Sequence, residues 1–180
     1  MKQSVILSAV AILCLTTCGS GAQTGEIKLD SPYIDPVRGF SLQPPTGTTC
    51  SRVASANSLV MWTMRQNPKA PILWRLSLYT RTEEAFKPGG DLLTYGRLLA
   101  TRLAQTEGFK AAPPRIIDLA GTKAINLRGL TTGKVRFWQR RVWVHLRGKL
   151  FLEVRISGPT SSQEKLDTIA STVLKTLKIN

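Results

Sequence analysis

Residues 134–156 read KVRFWQRRVWVHLRGKLFLEVRI, and this stretch determines the fold that the sequence predicts. Apolar side chains recur at every second position on either side of residues 147–148, which is typical of two strands joined by a tight turn. One face of this hairpin carries aliphatic residues only, namely Val142, Val144, Leu146, Leu150, Leu152, Val154 and Ile156. We therefore predict a long antiparallel hairpin within a sheet.

The turn also predicts a register for this hairpin. A three-residue loop over residues 146–148, with Gly148 in the left-handed conformation, pairs Val144 with Leu150. The same register places Arg141 beside Glu153 on the opposite face, where their charges attract each other.

Strand and helix patterns alternate along the rest of the chain. Apolar residues at helical spacing predict one helix between Asp91 as N-cap and Gly108 after its last turn, and a C-terminal helix that opens with the capping box Ser161-x-x-Glu164. The remaining strand patterns cover residues 39–45, 58–65, 72–80, 115–119 and 123–130. This order predicts an α+β fold, an antiparallel sheet with helices packed on it, formed by residues 33–180 as a single domain.

Residues 1–22 carry the features of an export signal. Lys2 precedes an apolar run over residues 4–15, which is too short to cross a bilayer as a permanent helix. Two cleavage sites fit the residues that follow. A lipobox-like sequence ends at Cys18, which would be acylated and anchor the chain in a membrane, whereas signal peptidase I would release the chain after Ala22.

Residues 23–32 are polar and contain glycine, and we interpret them as a flexible linker behind the signal. The expected location is the periplasmic side of a bacterial membrane, as a lipoprotein anchored at Cys18. Cleavage after Ala22 would instead give a secreted or periplasmic soluble protein.

The charge balance favours an anionic partner. The chain has 25 Lys and Arg residues against 11 Asp and Glu residues, which gives a formal net charge of +14. Such a balance attracts anions over long range. Because the chain is expected outside the cytoplasm, we expect no nucleic-acid partner. Anionic lipid, an acidic wall polymer or an envelope protein is the expected class of partner.

The basic and aromatic segment over residues 134–141 is the strongest candidate for this contact. The phase of its alternation differs from that of the strand beyond it, which predicts a β-bulge near residues 139–141. Such a bulge would direct Arg and Trp side chains towards an anionic partner. The residues assigned to this tentative binding site are Arg136, Trp138, Arg140 and Arg141.

The sequence offers few residues for a metal site, a cofactor site or a catalytic site. The chain has one His and, behind the signal, one Cys, whereas a structural zinc site needs four such ligands, so we expect neither a metal nor a cofactor. No nucleophile-elbow, phosphate-loop or dinucleotide motif is present in the sequence. One alternative remains open: a small secreted enzyme or ligand carrier with a pocket between sheet and helix, using Cys50 or His145.

Several local patterns resemble the PsbP-like superfamily, which includes DcrB-like and LpqN-like bacterial lipoproteins. They are Tyr33-x-Asp35 with Gly39-Phe40-Ser41-Leu42-x-x-Pro45, then Gly121-Thr122-Lys123-Ala124, and finally a strand over 150–156 with a helix ending at 174–179. The likeness spans nearly all of residues 33–179. This family often has a Trp shortly after the proline turn, where the present chain has residues 46–50 without one.

The resemblance implies an α-β-α sandwich without enzymatic activity, found in extrinsic subunits, assembly factors and envelope lipoproteins. It implies no catalytic residues, because the family shares no catalytic motif. Together with the charge, it predicts an exported, lipid-anchored, non-enzymatic binding or assembly module of the cell envelope, with a basic face for an anionic partner.

Overall fold

The computed structural model describes residues 26–52, 57–84, 90–133 and 135–180. The predicted export signal with Cys18, and the first residues of the predicted linker, lie outside the described residues. None of the described helices combines the length and hydropathy needed to cross a membrane.

The described residues form strands and two α-helices, with a 3₁₀ turn at Thr160–Ser162 before the second helix. In chain order they are β1 (Tyr33–Asp35), β2 (Phe40–Leu42), β3 (Thr49–Ser51), β4 (Ser58–Arg65), β5 (Ile72–Thr82), α1 (Leu92–Glu107), β6 (Phe109–Ala111), β7 (Arg115–Leu119), β8 (Thr122–Thr131), β9 (Phe137–Arg147), β10 (Leu150–Pro159), α2 (Gln163–Leu174) and β11 (Lys178–Ile179).

An eight-stranded antiparallel sheet forms the middle layer. Its order is β3-β4-β5-β10-β9-β8-β6, with β7 also paired to β8. The hairpin of β9 and β10 therefore lies inside the sheet, as predicted. A second sheet of three strands has the order β1-β2-β11.

Each face of the large sheet has its own buried cluster. Helix α1 packs through Tyr95, Leu99 and Leu103 on the face that carries Trp143 and Phe151, which we call the α1 face. The second helix and the small sheet cover the opposite, α2 face, where the main core includes Phe40, Leu76, Val142, Leu152, Leu166 and Val173. This α-β-α layering confirms the predicted α+β sandwich. Helix α1 leaves much of β4 and β5 uncovered on its face.

The hairpin has the predicted faces but a different register. Val144 pairs with Leu152 rather than Leu150, so the predicted register is wrong by two residues. The turn occupies residues 148–149 rather than 146–148 and places Leu150 opposite Arg147, and a register shift between Leu150 and Phe151 then sets the pairing of the rest of the hairpin. The bulge predicted near residues 139–141 is also wrong, because the pairing of β9 with both neighbours is continuous there.

The predicted caps are confirmed for α1 but not for α2. The Asp91 carboxylate accepts hydrogen bonds from the amides of Leu93 and Thr94, and Gly108 adopts φ = 61° after the last turn of α1, as predicted. The predicted capping box of α2 does not form. Ser162 is the N-cap instead, without a side-chain capping bond, because the 3₁₀ turn leads directly into the helix.

The folded chain begins earlier than predicted. Leu29 forms a bridge with Pro45, and Ile27 and Leu29 pack against the main core. For residues 27–30 the interpretation as a flexible linker is wrong, because the Asp30 amide donates to the Pro44 carbonyl and the Lys28 carbonyl accepts from the Thr46 amide.

Candidate functional site

Successive side chains of β9 point to opposite faces of the sheet, so the residues of the predicted basic segment are divided between the two faces. Trp138 and Arg140 lie on the α2 face, whereas Gln139 and Arg141 lie on the α1 face. Trp138 is 3% exposed, Arg140 6% and Arg141 1%. The prediction that these three side chains contact a partner at the surface is therefore wrong. Arg136 is exposed and precedes the strand.

A buried ionic network surrounds Arg141. Its Nη2 lies 2.8 Å from Glu107 Oε2, and its Nη1 lies 3.7 Å from Oε1 of the fully buried Glu153. Arg155 Nη2 is 2.8 Å from Glu153, and Arg81 Nε is 3.2 Å from the same carboxylate. Three guanidinium groups thus share two carboxylates, and the network carries one excess positive charge.

The charged side chains of this network shift one another's pKa values. Burial lowers the pKa of Arg141 and the neighbouring Arg155 lowers it further, although Glu153 and Glu107 act in the opposite direction. Burial alone would raise the pKa of Glu107. The positive charges of Arg141, Arg155 and Arg81 outweigh it and hold that pKa below the ordinary value of 4.5.

Arg141 also orients a carboxamide. Its Nε donates a hydrogen bond of 2.8 Å to Oε1 of Gln139, which is 8% exposed. Because an arginine side chain only donates, this bond fixes the amide oxygen towards Arg141 and the NH₂ group away from it. The Gln139 NH₂ makes no hydrogen bond to any residue that the structure describes.

Gln139 lines an open cavity of 570 Å³ on the uncovered part of the α1 face, which we call the β5 groove. Three arginines, Arg65, Arg75 and Arg155, line it, and no acidic residue is among its described lining. Its apolar wall includes Met61, Ile72 and Phe137, while Ser77, Tyr79 and Ser157 add polar groups. This groove can hold an acidic group beside an apolar one.

Two of the lining arginines differ in their partners. Arg155 lies over the ring of Tyr79, 4.6 Å from its centroid, and is held by the buried network. Arg75 is exposed and forms no ion pair with the described residues. A fixed positive group and an unpaired one thus lie in the same groove.

The other buried arginine, Arg140, has a parallel arrangement on the α2 face. Its Nε donates a 3.0 Å hydrogen bond to Oδ1 of Asn126, and its Nη1 lies 3.0 Å from Asp167 Oδ1. Asp167 also pairs with Arg128 at 2.9 Å. As for Gln139, the carboxamide oxygen of Asn126 is directed to an arginine, so its NH₂ group is turned away.

Asn126 lines a second cavity of 350 Å³, which we call the β8 cleft. Lys110, Arg115 and Arg128 line it, together with Trp138 and Gln163, and no acidic residue is among its described lining. Two residues of the predicted binding site therefore belong to this region, but Trp138 forms a wall and Arg140 lies behind Asn126.

Cys50 and His145 do not come together. Three strands separate β3 from β9, so the two residues are about 19 Å apart across the sheet at ordinary strand spacing. Cys50 lies opposite Trp62 of the α2-face core, while His145 contacts Phe151 on the α1 face, with ring centroids 5.2 Å apart. The two residues therefore cannot act together as a nucleophile and its base, and neither lines the groove or the cleft.

The described residues contain no group of three or more His, Cys, Asp or Glu side chains arranged to hold a metal ion. The residues that shape the two cavities were mostly missed in the sequence, because Gln139 and Asn126 carry no motif. The polar alternation of Arg75, Ser77 and Tyr79 in β5 was the available signal for an uncovered sheet face.

No protein-family model and no curated protein sequence matches this chain. Cyanobacterial PsbP (CyanoP) from Synechocystis sp. PCC 6803 has a similar structure over 91% of this chain and 99% of its own, with a TM-score of 0.63 and 14% identity. LpqN of Mycobacterium tuberculosis, described as involved in cell envelope biogenesis, is similar over 87% of this chain and 92% of its own, with a TM-score of 0.56 and 16% identity.

A Pseudomonas aeruginosa protein of unknown function, PA94, is similar over 84% of this chain and 96% of its own, with a TM-score of 0.53 and 11% identity. Because these likenesses extend over nearly the full length of each neighbour, they concern the whole domain. They confirm that the chain has the PsbP-like fold.

Proposed function

We propose that this chain is an exported, non-enzymatic binding protein of the cell envelope, and that its β5 groove binds an amphiphilic organic acid. The observation that carries the proposal is the juxtaposition of Arg75, Arg155 and the Gln139 NH₂ group with an apolar wall. The involvement of LpqN in envelope biogenesis supports the same setting.

The charge distribution favours an acidic ligand. Carboxylate, sulfonate and phosphate groups accept hydrogen bonds from both guanidinium and amide donors, and arginine forks match their geometry. The excess positive charge of the Arg81, Arg141 and Arg155 network lies directly behind the groove. An acidic group placed there would offset it.

The size and lining favour a ligand with an apolar part. A volume of 570 Å³ lies within the range of small-molecule sites, which are usually lined by apolar and aromatic side chains with a few polar anchors. Phe137 is 40% exposed at the edge of the groove and would lose that exposure to water against an apolar ligand.

A fluorescent aromatic sulfonate, anilinonaphthalene sulfonate, is a suitable probe because it combines both features. We expect saturable binding by the purified protein, weakened about tenfold by Arg75→Ala and by Gln139→Leu, since each variant removes a donor to a charged group. Arg147→Ala removes an exposed arginine at the far end of β9 and serves as the control. Equal binding by Arg75→Ala and Arg147→Ala would contradict the proposal.

We propose further that residues 1–22 direct export and that Cys18 is the lipid-bearing N-terminus. The lipobox-like sequence before Cys18 supports this assignment. Mass spectrometry of the protein isolated from its native envelope tests it. A diacylglyceryl group on Cys18 is expected, whereas an unmodified N-terminus at Gln23 would assign cleavage after Ala22 and exclude the anchor.

A further inference from the structure

We propose that the β8 cleft is a second ligand site, separate from the β5 groove, and that it binds a phosphate group. The cleft lies on the opposite face of the sheet and shares no lining residue with the groove. The proposal therefore stands or falls independently of the function proposed above.

The strand register brings the cationic residues of the cleft together. Arg115 of β7 is opposite Asn126 of β8, and Lys110 of β6 is opposite Leu130 of the same strand. Residues directly opposite each other in an antiparallel pair point to the same face, so both cations share the face of Asn126 and Arg128. Three cations thus converge from three strands on one cavity of 350 Å³.

Among the described residues, Asp167 is the acidic side chain that pairs with a cation of the cleft, and a second arginine shares it. Asp167 pairs with Arg128 at 2.9 Å and with the buried Arg140 at 3.0 Å. Lys110 and Arg115 are exposed and form no ion pair with the described residues. The positive charge at the cleft therefore exceeds the negative charge, as anion binding requires.

The second, independent observation is the side chain of Asn126. It is 4% exposed, and its NH₂ group makes no hydrogen bond to any described residue. The nitrogen is not fully enclosed by protein, so water or a ligand oxygen in the cleft can accept its hydrogen bond. Since the bond from Arg140 Nε fixes the amide oxygen, the NH₂ group cannot be exchanged for the oxygen by a flip. Nε of Arg128, by contrast, is a buried donor without a hydrogen bond in the described residues, and such a donor costs free energy unless a ligand or water satisfies it.

The donors match a phosphate better than an apolar acid. Arg115 and Arg128 supply guanidinium donors, Lys110 an ammonium group and Asn126 an amide, all suited to an oxyanion with several acceptor oxygens. The described apolar lining is limited to Ala112, Pro113, Leu130 and the buried Trp138. Arg140 does not touch the ligand in this arrangement and acts as a positioning residue for Asn126.

The test is a calorimetric titration of the purified protein with inorganic phosphate. We expect saturable binding, weakened about tenfold by Arg115→Ala and by Asn126→Leu, because each loses a bond to a charged ligand. Arg147→Ala is the control and should bind within about twofold of the wild type. Asn126→Leu also removes a hydrogen-bond acceptor from the buried Arg140. If Asn126→Leu does not fold for that reason, the phosphate affinity of Arg115→Ala alone decides the test.

Three results would overturn the proposal: no saturable phosphate binding, equal weakening by Arg115→Ala and Arg147→Ala, or displacement of phosphate by acetate at equal concentration. Two further titrations distinguish the sources of the phosphate group. Arg115-dependent sedimentation with phosphatidylglycerol vesicles would assign a lipid headgroup, whereas tighter binding of glycerol phosphate without vesicle binding would assign a soluble phosphoester. Either result supports a phosphate site.

Discussion

The β5 groove and the β8 cleft both adjoin β9, where neighbouring arginines lie behind them, yet they differ in the way charge is buried. In the groove, Arg141 belongs to a network around Glu153, which is fully buried. In the cleft, Arg140 pairs with Asp167, whose side chain is 31% exposed. Both arginines orient a carboxamide, but only Arg141 lies next to a fully buried carboxylate. The difference predicts unequal energetic roles for the two acidic partners.

The largest expected effect is on the groove side. Replacing Glu153 with Leu leaves three arginines with Glu107 as their acidic partner, and breaking a buried pair in this way costs about 3–5 kcal/mol. The matched change on the cleft side, Asp167→Asn, should cost about 1 kcal/mol, because its side chain is partly exposed. Urea unfolding followed by circular dichroism measures both. Equal losses of stability would show that the two arginines are buried at similar cost.

The next effect concerns the shape of the cleft. A Cβ added at Gly129 would lie 2.1 Å from the carbonyl oxygen of Lys110 and 2.7 Å from the Cα of Ala111. Because both contacts are backbone atoms, Gly129→Ala must displace β6, and we expect a loss of about 1–3 kcal/mol in unfolding free energy. Phosphate binding should weaken, while binding in the groove should not change.

Gly121→Ala is the control for that variant. Gly121 has φ = 76° and nothing within 4 Å of an added Cβ, so its cost is backbone strain alone, about 1 kcal/mol. If Gly129→Ala and Gly121→Ala leave phosphate affinity equally intact, β6 does not position Lys110 for the ligand.

Much of the fold was predictable because its signals are local. The strands at residues 58–65 and 115–119 match β4 and β7, since alternation and turn residues define both ends. The short strands β3, β6 and β11 were missed, because two or three residues carry no periodicity. The hairpin register was wrong because the turn lies at residues 148–149 and is followed by a register shift beside Leu150, and the alternation of apolar residues reveals neither.

The candidate sites were less predictable for a physical reason. Lys and Arg are seldom fully buried, so a basic strand segment is normally interpreted as a surface. Arg140 and Arg141 are buried because Asp167, Glu107 and Glu153 reach them from other elements, and these pairings are not visible along the sequence. The basic segment of β9 did predict where the candidate sites lie, because both cavities adjoin this strand.

The two sites should also differ in their response to salt. Phosphate binding in the cleft rests on charge, so raising ionic strength from about 0.05 M to 0.5 M should weaken it about tenfold or more. Binding of anilinonaphthalene sulfonate in the groove should weaken less, because apolar burial against Met61, Ile72 and Phe137 is not screened. Titrations at both ionic strengths measure this. A steeper salt dependence in the groove would reverse the assignment of ligand classes.

The smallest effect is the acid sensitivity of the groove network. The pKa of Glu107 is held below 4.5 in the folded protein, so its ionised form stabilises the fold at neutral pH. This contribution is fully present above the unfolded value and is lost as the pH falls through the lower, folded value. Glu107→Gln should therefore be less stable than the wild type at neutral pH, and the difference should shrink below about pH 4.5. A difference that stays constant with pH would contradict this role.

Arg141 and Arg140 thus orient two carboxamide NH₂ groups towards two proposed ligand sites on opposite faces of one sheet. Nuclear magnetic resonance can follow the side-chain amides of Gln139 and Asn126 separately during a titration. Titration with anilinonaphthalene sulfonate should shift the NH₂ resonances of Gln139 and leave those of Asn126 in place, and phosphate should do the reverse. Shifts of both amides with either ligand, or of neither, would contradict the proposal of two separate sites.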